Sequence, residues 1–267
     1  MSVAGSGGVP EKDDILAPPS NPPPSWHPLG HLPKAARSLL DVGCNEGALL
    51  SDASGLGIRT LRGIEINEHI LDTTRQMLAH VPDVEIFHGS ADHIPLSDGS
   101  MDVVTCLEVL EHVPSEMRPN VMSEVSRVLV PRGRFIITVP ANGLFGFLDP
   151  ANIRFRLPTF FGVITTLVGG RGREAGYEGQ THGVVWHHHF SIMELEGLFD
   201  QYFELEHMRW RGALLAPLCG YLEFPFYRRN RLDHPLFKLI PWISRWEHSV
   251  DPGSFLGYNM LVVLRKR

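Results

Sequence analysis

The sequence predicts an α/β fold, a parallel sheet with helices on both faces, and three observations point there. Five short apolar runs alternate with stretches of helical periodicity, the first run ends in a glycine-bearing turn, and carboxylates stand at the end of the second run and after the third. Strands separated by helices pair through right-handed crossovers and bury both faces of the sheet. "SLLDVG" (38–43) is the first strand, and "GALLSDA" after it starts a helix. "LRGIEI" (61–66) is the second; Asn67 then caps a helix in which Ile70, Leu71, Thr74, Met77 and Leu78 recur at helical spacing. "VEIFH" (84–88) and "DVVTCL" (102–107) are the third and fourth strands. Residues 119–129 predict a helix with Val121, Val125, Val128 and Leu129 on one face and Pro119 in its first turn. "GRFIITVP" (133–140) is the fifth strand. Later, Ser191 and Glu194 have the spacing of a capping box, "YFELEHMRW" alternates as a strand, and "GYNMLVVLRKR" is a last strand.

The rest of the composition narrows the class. A net charge of −6 over 267 residues argues against a broad nucleic-acid surface. Cys44, Cys106 and Cys219 are too few and scattered for a disulfide framework, which favours a reducing compartment and a cytoplasmic location. No run approaches the roughly 20 apolar residues of a membrane span, and the first residues lack a leader pattern. Residues 1–35 hold eight prolines and read as a flexible tail; 36–267 read as one domain with insertions near 141–188 and 211–255.

Ligands of open parallel sheets sit beyond the carboxyl ends of the strands, where the first turn lies. Gly43 and Gly47 are expected to let backbone approach a ligand without a Cβ in the way. Glu65, 18 residues after Gly47, is placed to accept both hydroxyl hydrogens of a ribose, and Asp92 to accept from an exocyclic amine. A nicotinamide-dependent oxidoreductase would want G-x-G-x-x-G, whereas this turn offers only G-x-x-x-G.

Taken together, "LLDVGCNEG", Glu65 in "LRGIEIN", "GSADHIPLSDGSMDVVTCLEVLEHV" and "VSRVLVPRGRFIITVP" resemble the class I S-adenosylmethionine-dependent methyltransferases over roughly residues 37–140. The resemblance implies a Rossmann-like three-layer sandwich, a seven-stranded mostly parallel sheet with an antiparallel last strand, and S-adenosylmethionine as cofactor. It places Asp41, Gly43 and Gly47 at the methionine end, Glu65 at the ribose, Asp92 with His93 at the adenine, and Leu107 with Glu108 beside the sulfonium, with Asn45 and Ile66 also among the cofactor-binding residues. Asn45 stands where many members carry a third glycine; asparagine tolerates left-handed backbone angles, so the turn is expected to survive.

Transfer of that methyl group is an in-line displacement that needs alignment more than a nucleophilic side chain. A hydroxyl acceptor adds the need for a base near neutral pKa, for which His112 and, in "WHHHF", His187, His188 and His189 are available, with His112 and His188 the catalytic candidates. Glu108, Glu111 and His112 fall at i, i+3 and i+4, so a helical turn there would put them on one face as a divalent-metal site, with His188 a fourth ligand. That pattern looks like the metal motif of small-RNA 2'-hydroxyl methyltransferases; in other relatives it caps a helix or shapes the pocket, and no metal is the principal expectation. The insertions hold large apolar residues beside Arg228, Arg229 and Arg231; aromatic residues of this kind mostly pack against the sheet, and the stretch would also suit a lid over a greasy acceptor or rest on anionic lipid. The expected activity is methyl transfer to an oxygen of a small-molecule or lipid-like acceptor. RNA 2'-O-methylation and a non-catalytic cofactor-binding scaffold are its alternatives.

Overall fold

The computed structural model describes residues 23–149, 187–215 and 235–267, with positions 152, 159, 217–219 and 222 between them. In chain order these are β1 (Ser38–Val42), α1 (Ala48–Gly55), β2 (Thr60–Glu65), α2 (Glu68–Met77), β3 (Val84–His88), β4 (Met101–Leu107), α3 (Arg118–Val128), β5 (Leu129–Pro140), α4 (Ile192–Phe199), β6 (Phe203–Arg211), α5 (Pro235–Ser249) and β7 (Asn259–Lys266), with short helical turns among them. The strands form one sheet in the order β3-β2-β1-β4-β5-β7-β6. Strands β1 to β5 pair in parallel, and β7 runs antiparallel between β5 and β6. The predicted seven-stranded Rossmann-like sandwich is what the chain forms.

Strand periodicity splits the core into two layers. Leu40, Val104, Phe135, Ile137, Met260 and Val262 bury against α3 and α4, while their neighbours Leu39, Val103, Ile136, Leu261 and Val263 bury against α1 and α2. These central strands are apolar on both faces because helices cover both, while the edge strands β3 and β6 carry exposed residues. Asp102 fastens the sheet's start: its Oδ2 accepts from Arg37 N (2.7 Å) and Ser38 N (3.0 Å), which holds the first residue of β1 beside β4.

Local signals account for most boundaries. Asn67 caps α2, its side-chain oxygen accepting from His69 N at 3.1 Å, and Ser191 caps α4 by accepting from Glu194 N. On α2, Leu71, Thr74 and Leu78 are buried, but Met77 is 57% exposed and off the stripe. Helix α3 ends one residue early because Leu129 turns extended and begins β5, four residues before the predicted strand start.

The proline-rich segment needs a correction at its boundary. Residues from Pro23 onward pack on the sheet: Leu29 is 3% exposed, and Arg134 of β5 donates to the His31 carbonyl at 2.7 Å. The packed chain thus begins well before residue 36, and the earlier part of the predicted tail, 1–22, lies outside the described residues. Much of the two predicted insertions does too, including Arg228, Arg229 and Arg231.

Gly47 shows how tightly the first turn is packed. Its φ is +83°, and a Cβ there would stand 2.6 Å from Leu78 Cδ1. Gly47→Ala is expected to destabilise the protein by about 1–3 kcal/mol, from left-handed backbone strain plus displacement of Leu78. Chemical denaturation of the two proteins would measure it.

Candidate active site

Strands β1 and β4 are neighbours in the sheet but far apart in sequence, so the chain leaves their carboxyl ends in opposite directions and opens a crevice between them. Val42 is in register with Ile64 and Cys106, Glu65 with His88, and Leu107 with Thr138. Residues 43–47, 65–67, 89–93 and 107–112 therefore follow strand ends along a single edge of the sheet.

The first turn uses left-handed backbone at three places: Gly43 (φ +74°), Asn45 (φ +45°) and Gly47. Asn45 adopts the angle expected of it. The glycines also serve the protein's own packing. A Cβ on Gly43 would lie 2.3 Å from Val109 Cγ2, so these positions are bare to admit the protein's own side chains, Val109 and Leu78. The amides of Gly43 and Cys44 both donate to the Ile64 carbonyl, at 2.8 and 3.0 Å.

Glu65 joins this turn to the next loop. Its Oε2 accepts from Asn45 N at 3.0 Å and its Oε1 from Asn67 N at 2.9 Å, and the side chain is 7% exposed. The Thr74 hydroxyl adds a bond from α2 to the Asn45 carbonyl at 2.7 Å. Asp41 lies deeper, 4% exposed, with the Thr105 hydroxyl donating to its Oδ1 at 2.7 Å. Burial pushes its carboxyl up to about 7, with the hydroxyl bond from Thr105 opposing and the charge of Glu65 reinforcing the shift. Around these groups Ile66 is 55% exposed, a large apolar plate directly after Glu65. Beyond β3, Asp92 accepts from the Ser90 hydroxyl, and His93 is exposed.

At the end of β4 the backbone breaks sharply. Glu108 has φ +55°, its amide donates to the Thr138 carbonyl, and its Oε1 accepts from Asn259 Nδ2 at 2.7 Å. Asn259 in turn accepts from Arg211, at 2.7 Å. The short helical turn begins only at Leu110, so Glu108 does not share a helical face with Glu111 and His112 as the spacing suggested. Glu111 points inward: its side chain is 1% exposed, its Oε2 has no hydrogen-bond partner among the described residues, and burial together with the charge of Glu108 pushes its carboxyl well up. Among the described residues no three His, Cys, Asp or Glu side chains are grouped to hold a metal ion.

The imidazoles sort into separate roles. His112, 34% exposed at its side chain, packs edge-on against His187, with ring centres 4.6 Å apart. His187 Nδ1 is 3.3 Å from Asp149 Oδ2, and Asn152 clamps its backbone with bonds at 2.8 and 2.9 Å. His189 meets the same Asp149 oxygen at 2.9 Å. His188 instead lies 2.6 Å from Glu194, which also pairs with Arg118 of α3, and its ring meets Phe190. The structure thus brings His187, not the expected His188, against His112. Burial, then the neighbouring His187, hold the His112 pKa below the ordinary imidazole value, despite the opposing charges of Glu108 and Asp149.

Asn259, Asp149 and Asn152 were not singled out from the sequence. Only Asn259 left a trace there, as a polar residue opening an otherwise apolar strand, yet 4% exposed.

A family model described as a methyltransferase domain matches residues 40–137. The chain is 36% identical over 104 residues to a ubiquinone biosynthesis O-methyltransferase of Thiobacillus denitrificans, covering 38% of this chain and 43% of that protein. It is 30% identical over 138 residues to a demethylmenaquinone methyltransferase of Bacillus licheniformis, covering 49% and 58%. The chain thus spans about half the length of these curated relatives. Two solved structures share the fold at low identity: an S-adenosylmethionine-dependent methyltransferase from Mesorhizobium loti (TM-score 0.51, 16% identity, 88% of this chain and 93% of that one) and the [4+2]-cyclase SpnF (TM-score 0.55, 16% identity, 86% and 74%).

The contact between the two imidazoles has a measurable consequence. His187→Gln should raise the His112 pKa toward the ordinary imidazole value, because it removes one opposing charge while burial remains. An NMR titration of the His112 ring in both proteins would read the shift.

Proposed function

We propose, from the premise that this chain belongs to the class I S-adenosylmethionine-dependent methyltransferases, that it methylates an oxygen of a small, lipid-like acceptor. The observation that carries the reading is the crevice edge, where Glu65, held by two backbone amides, stands beside a left-handed turn and an exposed Ile66. A carboxylate whose two oxygens are each fixed by one N–H keeps a lone pair on each to receive a pair of ribose hydroxyls. Ile66 offers an apolar face for a flat base, and Asp92 an acceptor for an amine at its edge. Glu108 places a carboxylate at the crevice wall, which suits a cationic group. The residues present fit S-adenosylmethionine, which when bound supplies a methyl group on positively charged sulfur.

What remains for the protein is orientation and the removal of one proton. As the acceptor oxygen gains its new bond to carbon, its hydroxyl proton must leave. His112 suits this work: the shifted pKa keeps its ring neutral at pH 7, and a third of its side chain is open to a partner. Asp149 acts through His187. Its Oδ2 lies 3.3 Å from Nδ1 of the ring whose edge contact orients His112. A quinone-precursor acceptor is supported by the names of both curated relatives, and oxygen as the acceptor atom by the one named an O-methyltransferase.

Incubation with methyl-labelled S-adenosylmethionine and phenolic acceptors, with and without an isoprenoid tail, tests the reading. Label on a ring oxygen supports it; label confined to nitrogen or carbon acceptors overturns the oxygen assignment. Glu65→Ala is expected to weaken cofactor binding by at least tenfold, since each hydrogen bond to a charged acceptor is worth about 1.5–3 kcal/mol; calorimetry would measure this without an acceptor. His112→Gln should lower kcat by about 10²-fold or more with cofactor affinity kept, as loss of a general base does. Rapid-quench turnover at saturating substrate would decide.

A further inference from the structure

Helix α5 has two faces of opposite character. One anchors it: Ile240 and Glu247, seven residues apart, are 7% and 9% exposed. Glu247 accepts from Leu215 N at 2.8 Å, and Arg209 of β6 donates to the Ser249 carbonyl at the helix end. Roughly 100° around the axis runs a second stripe, Leu239, Trp242, Trp246 and, just past the last turn, Val250, with exposures of 48, 60, 57 and 48%. Steps of three, four and four residues keep all four on one side. About half or more of each of these side chains is open to water, and two exposed indoles on one face make an apolar patch.

The chemistry of the patch names its partner. Indole combines an apolar body with one N–H donor, which suits the boundary between headgroups and acyl chains. Residues 226–250, which include this stripe, hold five basic residues (Arg228, Arg229, Arg231, Lys238, Arg245) against the two acids Asp233 and Glu247, in a chain of net charge −6. A second copy of the chain would set this basic run against itself. An anionic bilayer complements it. At 15 residues α5 is too short to cross a bilayer, which needs about 20, so it would lie in the interface.

We propose that the Leu239–Trp242–Trp246 face of α5 docks the protein on anionic lipid membranes. The inference does not rest on the methyl-transfer reading, because lipid binding is measured without turnover. The full chain would be sedimented with vesicles of phosphatidylcholine alone or mixed with phosphatidylglycerol, at low and high salt, beside the variant Trp242→Ser/Trp246→Ser. Expected are binding to the anionic vesicles, weakening with salt, and a loss of at least about tenfold in the double variant. Negligible binding by the unaltered chain, or equal binding by the variant, overturns the proposal. So does a dimer in size-exclusion chromatography that the variant abolishes, which would make the stripe a self-association face. A second measurement needs no variant: brominated lipid in the anionic vesicles should quench tryptophan fluorescence of the unaltered chain, and absence of quenching also overturns it.

Discussion

The carboxylate of Glu65 is the tie on which the site depends. Through one oxygen it holds the amide of Asn45 in the left-handed first turn, and through the other the amide of Asn67 at the cap of α2. Two loops from different strand ends are thereby set against each other. Buried at the end of β2, the group has both oxygens paired with donors, and those donors are backbone groups whose positions the strands decide. Thr74 and Leu78 extend the same tie into α2, one by a hydroxyl bond to Asn45, the other by filling the space above Gly47.

The opposite wall of the crevice is built on different principles. Glu108 is strained into a left-handed conformation, and its side chain is held from across the sheet by Asn259 of β7, which Arg211 of β6 supports. The antiparallel end of the sheet thus reaches back to the crevice wall, which explains why the final strands matter to a site formed at the parallel strand ends. His112 follows on a short turn whose inward residue, Glu111, is buried, with its Oε1 3.9 Å from His112 Nε2. This wall carries Glu111 and His112, whose protonation burial displaces; on the other side Glu65 carries the paired hydrogen bonds, with displaced Asp41 beneath it.

Fold neighbours caution against equating architecture with chemistry. A methyltransferase and a [4+2]-cyclase match this chain about equally well at 16% identity. The sheet supplies the crevice; reaction type is a property of side chains around it. For this chain that directs attention to His112, His187 and Asp149.

Local chemistry was enough to read the seven strands, the caps at Asn67 and Ser191, the left-handed tolerance of Asn45 and the carboxylates at the strand ends. Each depends on period-two burial or on hydrogen bonds within a few residues, so its cause lies in neighbouring letters. Tertiary structure alone decided which histidine meets His112, that Asn259 holds Glu108, that Gly43 is bare for Val109, and that residues before 36 join the sheet. Those contacts link residues such as Glu108 and Asn259, 151 positions apart, and no periodicity encodes them. They exist because the strand order closes the sheet through β7, a choice made by packing of the whole core rather than by any one segment.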